Sequence, residues 1–168
     1  MPVDHGLALL IFIGRLGDAW STHFLTPTRV LEANPIARRY KRATFALGFL
    51  LCGVPYFDVN LGVMVAVPLL LVTASNLGRA WLARVLGERE MEALYLRAAS
   101  RGKLGMAVGL VWGAALFFAL AASILWWLAP DDAIAWHFAV GLALYGFLFA
   151  VHASFAFESI FRKARERP

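Results

Sequence analysis

Cysteine is almost missing from this chain: Cys52 is the only one among 168 residues. An intrachain disulfide is excluded, and so is a thiolate cluster around a metal. Charge is also scarce, at 16% Asp, Glu, Lys and Arg, against about 25% in an ordinary soluble domain. There is no His-Glu-x-x-His and no histidine pair at i, i+4, the spacing that turns two imidazoles toward one zinc ion. Glycine-rich phosphate loops are absent, and Ser21, Ser75 and Ser154 sit in no nucleophile elbow. Long low-complexity stretches and 20–50-residue repeats do not occur. No basic segment precedes the first apolar run, and Arg15 and Asp18 interrupt that run, so a cleavable leader is not expected. By type, Asp18, His23, Glu32, His152 and Glu158 could serve a zinc-like ion, but they share no ligand spacing. The expectation is no metal and no cofactor.

Apolar residues, in contrast, are abundant. They make up 61% of the chain, against roughly 45–50% in soluble domains, and mean hydropathy is +0.67. A soluble core of this length cannot hide so much apolar surface, whereas lipid can solvate it. Five apolar runs are long enough to read as spans, at residues 6–25, 35–57, 61–82, 104–129 and 133–157, given that a bilayer asks for about 20 residues per helix.

The net charge of +5 belongs to this pattern and not to nucleic-acid binding. All basic residues except Arg15 fall in three blocks. Arg29, Arg38, Arg39, Lys41 and Arg42 lie between the first two runs. Arg79, Arg84, Arg89, Arg97, Arg101 and Lys103 lie around the connection from the third to the fourth. Arg162, Lys163, Arg165 and Arg167 follow the fifth. The two remaining connections hold Asp58 and the pair Asp131, Asp132, with no Lys or Arg. By the positive-inside rule this alternation predicts an all-α, five-span transmembrane bundle forming one domain. Its N-terminus lies outside and its C-terminus in the cytoplasm, with a bacterial inner membrane as the expected location.

The connections carry their own signals. Phe57-Asp58-Val59-Asn60 and Ala129-Pro130-Asp131-Asp132 read as short turns. Asn34-Pro35 reads as an N-cap followed by proline at the first helical position. Residues 88–103 contain Met91, Leu94 and Tyr95 at i, i+3, i+4, which predicts a short helix lying on the cytoplasmic leaflet. Trp126, Trp127 and Trp136 form an aromatic belt at the outer interface.

The polar centre is the stretch from Arg15 to Pro35. An ionisable group near mid-bilayer costs about 2.5–3.5 kcal/mol on insertion scales, so its presence is a functional hypothesis. Arg15 lies roughly 14 Å along the first helix. Arg15, Asp18, Thr22 and Thr26 share one helical stripe. An internal Arg15–Asp18 ion pair is one reading of it. At similar depth the third run offers Asn76 and Arg79, the fifth offers His152 on a stripe with Tyr145, and the first loop offers Glu32 and Asn34 next to His23. These residues predict a cytoplasm-facing polar vestibule with Arg15, Asp18, Thr22, His23, Glu32, Asn34, Asn76, Arg79 and His152 as its candidate binding residues. Gly105, Gly109 and Gly113 form a small-xxx-small run that lets another helix approach, either within the chain or in a homo-oligomer.

The pattern Asp18-x3-Thr22 followed by Glu32-x-Asn34-Pro35 resembles the first hairpin of an uncharacterised family of small prokaryotic membrane proteins. The resemblance covers residues 15–40 and implies importance for Asp18, Thr22, Glu32, Asn34 and Pro35, with no activity attached. Arg15 and His23 depart from the family pattern.

Three functions are open on the sequence. The vestibule binds or conducts an ion, a proton or a small polar solute. Alternatively the chain is a structural or accessory subunit in which the polar residues hold helices together. A third reading is an intramembrane enzyme acting on a lipid. Membrane lipids are the expected partners in each.

Overall fold

The computed structural model describes residues 3–25 and 46–166. The described chain is helical, with no strand among the described residues. Helix α1 is Val3–Leu25 and α2 is Ala46–Phe57. They are followed by α3, Val59–Leu86, and α4, Glu88–Arg101. The chain closes with α5, Leu104–Leu128, and α6, Ala133–Glu166. Three of these, α3, α5 and α6, are long and apolar enough to cross a membrane.

Local chemistry sets the breaks. Pro55 lacks an N–H, and the turn before it, Leu50–Gly53, tightens to a 3-10 helix in which Val54 N–H donates to Leu51 O. Asp58 caps α3 by accepting from the N–H groups of Asn60 at 2.7 Å and Leu61 at 3.2 Å. Asp132 does the same for α6, accepting from Ile134 at 2.8 Å and Ala135 at 3.1 Å. Helix α3 stops at Gly87, whose φ of 84° is open to glycine at little cost. It therefore runs past the residue-82 end expected from hydropathy. Helix α6 likewise continues to Glu166, since no glycine or proline interrupts the polar sequence after Phe157.

Helix α1 packs on both α2 and α3, α2 also touches the start of α3 where Gly62 faces Pro55, α3 lies between α1 and α6, and α6 between α3 and α5. Close contacts give their directions. Gly14 faces Leu69 and Gly17 faces Thr73, so α1 and α3 run parallel. Gly141 faces Met64 and Val67, and Arg79 lies over Phe149, so α3 and α6 run parallel as well. Gly146 faces Ala115 and Phe118 while Gly102 faces Phe161, so α5 runs opposite to α6. His5 Nδ1 lies 2.9 Å from the Tyr56 hydroxyl, joining the start of α1 to the end of α2.

Glycines make the seams because a missing side chain lets backbones approach, and dispersion rises steeply as they do. A Cβ on Gly146 would meet Phe118 Cβ at 2.8 Å, and one on Gly17 would meet Thr73 Cγ2 at 2.6 Å. At Gly141 the nearest atom would be the Met64 carbonyl oxygen, at 2.9 Å. That carbonyl is the one Pro68 leaves without its helical donor, and α6 covers it. Among the described residues Gly105, Gly109 and Gly113 take no part: a Cβ on any of them meets nothing within 4 Å. Toward α6, α5 turns a different face, carrying Ala115 and Phe118.

Helix α4 forms where a short helix is expected and packs on the bundle. Met91, Leu96 and Ala99 are buried, with Met91 and Tyr95 packed on Ala80 and Ala83 of α3. Its apolar stripe is used against the bundle, and only Leu94 among the expected lipid-facing residues is exposed. Lys163 Nζ reaches Glu92 Oε1 at 3.3 Å, tying α6 to α4. Elsewhere the outside of the bundle is apolar: Leu110, Leu116, Phe117, Leu120 and Trp127 are all exposed, Trp127 by 80%. So much contiguous apolar surface is far beyond what a water-soluble monomer tolerates.

Candidate functional site

Between α1 and α3 the sequence builds a polar centre from both sides. Asp18 lies one turn after Arg15, and its carboxylate accepts Arg15 Nη1–H on Oδ2 at 3.0 Å. Its other oxygen, Oδ1, accepts Asn76 Nδ2–H from α3 at 2.9 Å. The side chains of Arg15 and Asp18 are only 16% and 21% exposed. Both carboxylate oxygens thus have donors, one of them charged, which is what an acid removed from water needs.

Hydrogen bonds to backbone brace this centre. The Thr73 hydroxyl is buried and lies 2.8 Å from Gly14 O and 2.9 Å from Leu69 O, so its single proton is shared between the neighbouring helix and its own. Ser21, fully buried, donates to Asp18 O at 3.0 Å. Gly14 and Gly17, on either side of Arg15, bring the α1 backbone close enough for the Thr73 bond to form.

The guanidinium has a different surrounding on its other side. It lies against Gly48 of α2, where any Cβ would overlap it. Its Nε–H is buried and has no hydrogen-bond acceptor among the described residues. A guanidinium carries five N–H donors in a rigid fork; one is spent on Asp18, and the buried Nε–H is unspent.

Of the expected site residues, Arg15, Asp18 and Asn76 come together. Thr22 is half-buried on α1 one turn beyond Asp18. The side chain of His23, and Glu32 and Asn34 entirely, lie outside the described residues. Arg79 is exposed, and its guanidinium sits 6.0 Å from the centroid of Phe149 on α6. It is therefore directed at an aromatic ring and not at Asp18. His152 is exposed and has no hydrogen bond among the described residues. Tyr145, 7% exposed, is edge-on to Phe118 and stacked with Phe149. The seven-residue spacing does place His152 below Tyr145, but Phe118 covers only the level of Tyr145. Gly14, Gly17, Gly48 and Thr73 were not among the expected site residues. The available signal was the pair of glycines flanking Arg15, a spacing that anticipates a close helix neighbour. Among the described residues, no group of three or more His, Cys, Asp or Glu is placed to hold a metal ion.

Compared with known protein families, curated proteins and solved structures, the chain matches none. The fold by itself defines an all-helical protein with three helices suited to a membrane.

Proposed function

We propose that this chain is a multi-pass protein of a bacterial inner membrane whose Arg15 centre binds a small polar solute through a hydrogen-bond-accepting or anionic group. Helices α1 and α2 are the fourth and fifth spans in this reading. Helix α1 has 23 residues, about 35 Å at 1.5 Å per residue, and only its polar centre lowers its hydropathy. The parallel run of α1, α3 and α6, with α5 opposed, supports the alternation of basic and acidic connections. The N-terminus then lies outside and the C-terminus in the cytoplasm.

The observation that carries the binding reading is the buried Nε–H of Arg15, which has no acceptor among the described residues. An unsatisfied buried donor costs about 1–3 kcal/mol, and a charged one in a low-dielectric site is the place for an acceptor from outside the chain. Asp18 and Asn76 then serve to hold the guanidinium in register. The test is thermal unfolding of the detergent-solubilised protein with formate, acetate, bicarbonate or phosphate, followed by flux of the same ions in proteoliposomes. A bound ion raises the midpoint by mass action, and Arg15→Met removes the rise. No stabilisation by any of the four ions, together with no flux, rejects the reading.

A second reading has its own observation. Both oxygens of Asp18 are satisfied within the chain, which is what a helix lock in a structural or accessory subunit requires. In that case Asp18→Asn lowers stability or assembly while no solute response exists to be lost.

A further inference from the structure

At the end of the bundle where α5 begins and α6 ends lies an open cleft of about 410 Å³, within the roughly 300–1,000 Å³ of small-ligand sites. Leu104 and Phe161 give it an apolar side, and Glu158, Arg162, Arg165 and Glu166 the polar one. Phe161 is buried, whereas both arginines are exposed. Neither arginine has a carboxylate within ion-pair distance among the described residues, although Glu158 and Glu166 are each one turn from Arg162. Among the described residues the lining therefore presents two cations and two anions without an ion-pair partner along one stripe of α6.

Depth decides what can occupy such a stripe. Trp126, Trp127 and Trp136 mark the opposite interface. About twenty residues of α6 from there span roughly 30 Å of hydrocarbon and end near Ala156. Residues 158–166 then lie in the headgroup layer, Glu158 innermost, with the apolar Leu104 and Phe161 beside them. We infer that this cleft seats the headgroup of an aminophospholipid of the phosphatidylethanolamine type. Arg162 and Arg165 hold the phosphate. Glu166, next to Arg165 and one turn beyond Arg162, accepts from the ammonium, and the acyl chains run back along Leu104 and Phe161. Equal numbers of each charge match a zwitterion better than an anionic headgroup. An ammonium with N–H donors is needed because a carboxylate gains a charge-assisted hydrogen bond only from a donor. This inference does not depend on the Arg15 reading, and either can fail alone.

The test is native mass spectrometry of the full chain released from nanodiscs holding equal phosphatidylethanolamine, phosphatidylglycerol and phosphatidylcholine with matched acyl chains. Retention of phosphatidylethanolamine in excess of both others is expected, falling stepwise through its N-methyl and N,N-dimethyl forms with the protein unaltered. In the double variant Arg162→Ala, Arg165→Ala, retention drops about thirtyfold, taking roughly fivefold per basic residue at a membrane surface. Arg89→Ala, on an exposed position of α4, leaves it unchanged. Equal retention of the three lipids, a preference for phosphatidylglycerol, or insensitivity to the double variant overturns the assignment. So does displacement of the lipid by millimolar phosphoethanolamine, which would make the occupant a soluble phosphoamine.

Discussion

Asn76 donates to Asp18 across 58 positions of sequence, at 2.9 Å. The bond joins the only acid in the middle of α1 to the only amide in the middle of α3. Replacing Asn76 with Leu leaves Asp18 Oδ1 without a donor inside the protein. The expected loss is about 1–3 kcal/mol, read from chemical unfolding in detergent. Asn76→Asp should lose more, since it sets a second carboxylate against the first. Equal stability of Asn76→Leu and the parent would remove the bond from the account of the centre.

Arg15 and Asp18 form a part-buried pair, and such pairs show their coupling when broken one at a time. Arg15→Met is expected to cost about 3–5 kcal/mol, because it strands the carboxylate. The double variant Arg15→Met, Asp18→Leu should recover most of that loss, since neither charge then remains to be desolvated. Additive losses in this double-mutant cycle would mean that the two residues act separately.

Thr73→Val keeps the shape of the side chain and deletes its hydroxyl. The cross-helix bond to Gly14 O disappears, while the carbonyls at Gly14 and Leu69 belong to helical backbone. A modest cost of about 0.6 kcal/mol, and no more than about 1.7, follows from comparable bonds between membrane helices. The same unfolding assay measures it.

The glycines of this chain divide into two groups with opposite predictions. Gly146→Val drives a side chain into Phe118 and the Ala115 backbone, and overpacking of this kind costs about 1–3 kcal/mol. Gly109→Ala meets open space and should leave the monomer's stability within about 0.5 kcal/mol. If α5 joins a second copy through Gly105, Gly109 and Gly113, Gly109→Leu shifts the stoichiometry in a native mass spectrum while the monomer's unfolding is unaltered.

Labelling of single cysteines in a Cys52→Ser background tests topology. Cysteines at 58 and 131 should react with an impermeant maleimide from the outside of intact cells, and one at 101 only after lysis. Reaction of all three from one side would reject the five-span arrangement.

Much of the architecture was legible because membranes simplify the code. Apolar length alone marks α3, α5 and α6. The turns around Asp58 and Asp132 were legible from their turn-forming residues, whereas the capping of α3 and α6 by these two aspartates came with the structure. The Arg15–Asp18 pair was legible too, as both partners sit on one helix within a turn. The neighbour of each helix could not be read this way. In lipid no hydrophobic force selects one apolar face over another, so choice falls to shape. That is why Gly141 and Gly146 make seams while Gly105, Gly109 and Gly113, with the better-known spacing, do not.

The sequence by itself determined that this is a helical chain with far too much apolar surface for water, and that an acid and a base share the middle of its first helix. Both follow from composition and from spacing within one turn. Only the tertiary structure decided that Asn76 completes the acid's hydrogen bonding, that Arg79 turns to Phe149 and His152 to the exterior, and that α4 docks on the bundle. Those outcomes depend on distances between residues far apart in the chain, which are set by how closely one helix backbone can approach another.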